Sequence, residues 1–165
     1  MKQIKVRELD EKSFKVYGSF AGMIDPDTPK LGPPPVEFHR DMARIALSSD
    51  TPPSFSITRV SPRPLVIEKF EYHNRTGEAI LPLDGDILIH LAPAGRGSII
   101  PYDGIDVFRI PKGTLVVLHP GVWHQAPYCL GGDPVNVLVV LPERTYELDC
   151  ATVLFPEKEK LRIDL

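Results

Sequence analysis

Cysteine is nearly absent: Cys129 and Cys150 are the only two in 165 residues, and they form no Cys-x-x-Cys pair. That gives little basis for a redox motif or a disulfide, and both are expected as small buried or half-buried side chains. Long apolar runs are missing too. None approaches the roughly 20 residues that a bilayer-spanning helix needs, and the first residues lack the apolar core of a signal peptide. The expectation is a cytoplasmic protein with no membrane partner. Positive charge is not in excess: 19 Lys and Arg stand against 22 Asp and Glu, a formal net charge of -3. With no Lys/Arg cluster, nucleic acid is not a fitting partner and a small molecule is favoured. Gly95-x-Gly97, in the loop 93–98, is too short for a phosphate cradle and has no helix after it.

What is present is 42% hydrophobic and 25% charged, which suits one globular domain over residues 1–165. The 18 prolines are spread along the chain. Proline is excluded from helix interiors and from most interior strand positions, so this spread predicts short strands joined by stiff turns. Strands are expected over 4–9, 66–72, 86–91, 107–110, 114–119 and 135–141, with an edge strand or arm over 146–154. A short helix capped by Asp10 should run to Tyr17, and residues 24–36 read as an extended, proline-rich loop. The 86–91 strand should pair like a hairpin with the segment before it, and His90 within it reads as a core or interface histidine. Residues 157–160 read as a solvated charge run.

Two groups of residues carry chemistry. Phe55, Ile57 and Arg59 alternate with Ser54, Ser56 and Thr58, a period of two that puts Arg59 on one face with two apolar residues. If that face is inward, Arg59 is a carboxylate clamp; otherwise it is a strand-end salt bridge. The second group is Glu71 and His73, which share a strand face, and Glu78, on the returning arm of the hairpin expected from the turn Asn74-Arg-Thr-Gly77. His124 follows some forty residues later, completing an N/O donor set for a divalent metal ion such as nickel, zinc, manganese or iron. Lys69 falls on the Glu71 face, either near the pocket or as an ordinary lysine at its mouth.

The spacings resemble the two cupin motifs. The first runs Glu71-x-His73, four residues, Glu78, six residues, Gly85; the second runs Gly113, five residues, His119-x-Gly121, two residues, His124. Glu71 stands where cupins usually have histidine, His119 where they have proline, and Tyr128 where they have asparagine. Glu-x-His and Val-Trp-His, with Ser13 to Gly18, Phe38 to Asp41, Phe55 to Arg59 and Ala79 to Pro82 in order, resemble the narrower ureidoglycolate lyase family. Its members often carry glutamine where this chain has Glu78.

The resemblance implies an all-β cupin-like double-stranded β-helix, a jelly-roll barrel with a short N-terminal helix, and commonly a homodimer. It also implies a metal held by Glu71, His73, Glu78 and His124, gripping a small hydroxy acid. Ureidoglycolate would be split into glyoxylate and urea, with Glu71 as ligand or general base and His119 or Lys69 as proton donor. His39 is placed near the pocket, and Trp123 either walls it or packs in the core. A cupin isomerase or epimerase of a sugar or keto acid, and a ligand-binding cupin without catalysis, are the alternatives.

Overall fold

The computed structural model describes residues 1–47, 50–95 and 99–165; residues 96–98 of the loop at 93–98 lie outside the described residues. The chain is nearly all strand. In order come β1 (Lys2–Glu8), the single-turn α1 (Glu11–Phe14), β2 (Gly18–Gly22), β3 (Lys30–Leu31), β4 (Phe38–His39), β5 (Pro53–Val60), β6 (Val66–Ile67) and β7 (Lys69–Tyr72). Then follow β8 (Glu78–Pro82), β9 (Ile87–Leu91), β10 (Asp106–Ile110), β11 (Thr114–Leu118), β12 (Tyr128–Cys129) and β13 (Val135–Pro142). A one-turn α2 (Thr145–Leu148), β14 (Ala151–Leu154) and β15 (Leu161–Asp164) complete the chain. No helix among the described residues is long and apolar enough to cross a membrane.

Two sheets form the body. One has six strands in the order β12-β9-β10-β1-β15-β6, and the other five in the order β2-β11-β8-β13-β5. Their facing sides share one core, in which Ile87, Ile89, Leu91, Phe108 and Ile110 of the first meet Ile80, Val116, Leu118 and Val137 of the second. Asp10 accepts a hydrogen bond from the backbone N–H of Ser13 at 3.0 Å and starts α1. That helix sends Phe14, fully buried, edge-on to Phe108 at 5.2 Å between ring centroids. A second cluster covers the other side of the six-stranded sheet, with Leu88, Val107, Leu161 and Ile163 against Ile67, Phe70 and Trp123. The sheet is therefore apolar on both faces, which is why β9 reads as an unbroken buried run.

The helix stops at Phe14 instead of reaching Tyr17, the expected 66–72 strand breaks into β6 and β7, and three further expectations change. The Asn74 to Gly77 turn does not make a hairpin: β7 pairs with β14, whereas β8 pairs with β11 and β13. The chain crosses between layers there, and Asp149 accepts from the N–H groups of Asn74 and Arg75 at 3.0 and 2.7 Å. Nor does β9 pair with β8; its partners are β10 and β12. Finally, the stretch 146–154 is α2 followed by β14 rather than one strand, and the charge run precedes β15, which pairs in parallel with β1.

Candidate metal centre

His73 follows the last residue of β7, Glu78 is the first of β8, and His124 lies on a loop zipped onto β7. The zip is an isolated bridge: Glu71 N–H donates to His124 O at 2.6 Å and His124 N–H to Glu71 O at 2.8 Å. Gly121, with φ +80°, makes the tight turn before it and donates to His73 O at 2.6 Å. These backbone bonds bring both imidazoles to one carboxylate. Glu78 Oε2 lies 2.7 Å from His124 Nε2 and 3.3 Å from His73 Nε2. The ligand atoms of the three residues all fall within 4.8 Å of one another, and each residue is less than 10% exposed.

The outer nitrogens decide what this cluster can hold. His73 Nδ1 is 2.6 Å from Asp149 O and His124 Nδ1 is 2.9 Å from Val122 O. A carbonyl only accepts, so each Nδ1 carries a proton and each neutral ring turns the Nε2 lone pair toward Glu78. Two lone pairs and a carboxylate crowded together out of water repel unless a cation sits among them. A divalent ion with borderline affinity for nitrogen and oxygen fits that set. Without one, a proton has to serve. Burial disfavours the charged His124 ring, but the charge and hydrogen bond of Glu78 outweigh it and raise His124 to about 9. Burial likewise opposes ionised Glu78, but His124 and His73 overcome it and hold Glu78 well below the usual carboxylate range.

A metal ion must therefore displace a proton from His124. Affinity is expected to rise with pH and to level off above about 9. Titrating metal-stripped protein between about pH 6 and about pH 10 checks this, because ligation and protonation compete for one lone pair. An affinity indifferent to pH would contradict the exchange.

His73 and Glu78 open on a cavity of about 220 Å³ whose wall includes Glu71, Ser54, Ser56, Thr58, Gln125, Arg144 and Cys150. Glu71 is in that wall but outside the ligand cluster. Its carboxylate accepts from Gln125 Nε2 at 3.4 Å and, weakly, from Cys150 Sγ at 3.6 Å. Burial, followed by the Glu71 charge, raises the Cys150 thiol above its ordinary value, so it remains a donor.

Other expected site residues lie elsewhere. Arg59 is exposed on the outer face of β5 and reaches Asn136 Oδ1 at 3.3 Å; the inward face is the serine and threonine one. Trp123 is 1% exposed and packs on Tyr72 at 4.3 Å between centroids. It must point away from the cavity because its neighbour His124 points in. His119 is exposed where β11 ends, its backbone N–H donating to Tyr17 O and its carbonyl accepting from Val122 N–H. His39 belongs to the two-stranded β3–β4 unit and pairs with Thr28 Oγ1 at 2.9 Å. Lys69 lines a separate, larger cavity of about 570 Å³ with Arg63 and Lys160, where no ligand cluster occurs among the described residues. His90 is fully buried in the core, as expected. The sequence reading missed the connection from β13 through α2 to β14, which supplies Arg144, Cys150 and the carbonyl that fixes His73. Its only signal was a polar stretch between two apolar strands.

Comparison with known proteins gives this geometry a family. The sequence model described as Ureidoglycolate lyase matches residues 1–163. The chain belongs to the ureidoglycolate lyase family. Its curated relatives include the ureidoglycolate lyase of Salmonella paratyphi B, 25% identical over 128 residues, which are 74% of this chain and 78% of that one. The ureidoglycolate lyase of Salmonella enteritidis PT4 is 25% identical over 125 residues, with the same coverage. Among solved structures, a dTDP sugar isomerase from Desulfovibrio desulfuricans G20 overlays with a TM-score of 0.51 at 15% identity, covering 85% of this chain and 84% of that one. That likeness concerns the fold. This ureidoglycolate lyase family member has the all-β, cupin-type architecture expected from its motifs, with a one-turn helix near its start.

Proposed function

We propose that this chain is a metal-assisted lyase that splits ureidoglycolate into glyoxylate and urea in the cavity above His73, Glu78 and His124. The observation that carries this is two imidazole Nε2 atoms aimed at one buried carboxylate, with both Nδ1 protons fixed by carbonyls. When bound, a divalent ion (nickel, zinc, manganese or iron) supplies Lewis acidity at the substrate's oxygens. The protein's own contribution is proton transfer. Glu71, held at the wall by Gln125 and Cys150, takes the proton from the substrate hydroxyl. The O–H electrons become the aldehyde π bond as the carbon–nitrogen bond breaks, and the same proton passes from Glu71 to the departing urea nitrogen. No water is consumed. With His119 and Lys69 outside the cavity wall, one carboxylate serves both transfers.

Incubation with ureidoglycolate tests the reading: urea and glyoxylate should appear in equal amounts. Turnover without urea would favour the isomerase class, and binding without turnover a ligand-binding module.

We also propose a homodimer in a reducing cytoplasm, which accords with two free cysteines. The outer face of edge strand β5 leaves Phe55 71% and Ile57 56% exposed, beside the outward side chains of β13, and such a face on an edge strand invites a second copy. Phe55→Asp with Ile57→Asp is expected to give a monomer in sedimentation while the metal is retained. A wild-type chain that sediments as a monomer would refute the dimer.

A further inference from the structure

Strand β5 inverts the pattern of its neighbour. On β13 the inward positions are apolar: Val137 is fully buried, and Val139 and Leu141 line the cavity. On β5 the inward positions are Ser54, Ser56 and Thr58, while Phe55 and Ile57 face out. Ser54 and Thr58 are half-buried and Ser56 is exposed, so these hydroxyls stay open to solvent and to a ligand that enters the cavity. Among the described residues, none of these three side chains has a hydrogen bond, and all three line the cavity with His73 and Glu78. Arg144, with its side chain 63% exposed, is the cation of that wall. Its φ of +61° turns the chain at the entrance to α2. Its one ion-pair contact, Nε to Glu143 at 3.6 Å, leaves both terminal nitrogens unpaired among the described residues.

The register places these groups across from the triad. Ser54 is opposite Leu141, and continuing the β13–β8 pairing from Val140 and Ala79 puts Leu141 beside Glu78. Ser54 is thus two strands from Glu78, about 10 Å at the usual spacing, and Arg144 closes the same end. A short molecule held at this end by two polar groups can turn the carbon between them toward the triad.

We propose that Arg144, Ser54 and Ser56 form the recognition wall for a carbamoylated acid, the guanidinium taking its carboxylate and the two hydroxyls its ureido group. This rests on the lyase reading and names what selects its substrate. A guanidinium matches a carboxylate with parallel N–H donors. A serine hydroxyl both donates and accepts, as a ureido C=O with adjacent N–H groups requires.

Calorimetry on the full, metal-loaded chain tests this with three probes that contain no cleavable carbon–nitrogen bond beside a hydroxyl. They are N-carbamoylglycine, its neutral amide, and glycolate, which lacks the ureido group. Arg144→Gly keeps the positive φ accessible and should weaken N-carbamoylglycine and glycolate at least about tenfold without affecting the amide, while Arg144→Lys restores part of the loss. Ser54→Ala with Ser56→Ala should weaken N-carbamoylglycine and its amide several-fold and spare glycolate. Metal content in each variant should equal that of the wild type. Equal losses for all three probes, no loss, or a wild type that binds none of them would overturn the wall. Failure of the lyase reading looks different: the binding pattern holds, but ureidoglycolate yields no urea.

Discussion

Replacing Glu78 with alanine is expected to strip the divalent ion from the protein and to lower ureidoglycolate turnover about a thousandfold, the worth of several kcal/mol of Lewis-acid assistance. Glu78 is the only carboxylate in the ligand cluster and the hub on which both imidazoles converge. Without it, two nitrogens hold an ion poorly, and His124 loses the partner that most favours its charged form, so burial pushes it toward the neutral form against the Val122 carbonyl and the Glu71 charge. A neutral pair of rings is tolerated in the interior, so the variant should fold, and circular dichroism beside metal analysis separates lost metal from lost structure. Glu78→Gln is the informative companion. It keeps a side-chain oxygen and the volume but removes the charge, so metal affinity should fall less than in the alanine variant. Full metal and full turnover in Glu78→Ala would remove the residue from the centre.

Glu71→Ala should give the opposite split, with the ion retained and kcat lowered by about two to four orders of magnitude, the usual worth of a positioned proton-transfer group. The distinction follows from where the carboxylate points: Glu71 is turned toward Gln125 and Cys150 and stands apart from the ligand cluster. Its backbone, not its side chain, clips the His124 loop to β7, so truncation leaves the triad in place. Because the group acts on the reacting atoms, KM should change much less than kcat. Metal loss in this variant would restore Glu71 as a ligand, and unchanged kcat would remove it from the proton path.

Much of this centre was readable from spacing alone, because ligands close in sequence on strands have few ways to avoid one another. His73, Glu78 and His124 fell into recognisable intervals, and the prolines and short apolar runs announced an all-β chain. The failures share a physical origin. A period of two says which side chains share a face, not which face is buried, so the sequence leaves Arg59 between an inward clamp and a strand-end salt bridge, and the hydroxyl face is the one that meets the cavity. Turn chemistry marks a reversal without saying which sheet receives the next strand, so the turn suggests a β7–β8 hairpin, whereas the two strands belong to different sheets. Leu161 and Ile163, both buried, alternate with polar neighbours, a signal for β15 that the adjacent charge run obscured. The resemblance implies a site role for His119 and leaves Trp123 between pocket wall and core, yet adjacent residues diverge, and the turn at Gly121 separates His119 from the site.

The central claim is that three side chains from two layers hold an ion on which cleavage depends. The most direct measurement is a titration of metal-stripped protein with a divalent ion, following urea release against bound metal. Activity should rise in proportion to occupancy and saturate at one ion per chain. Undiminished urea release from the stripped protein, or saturation by ion with no urea formed, would contradict it.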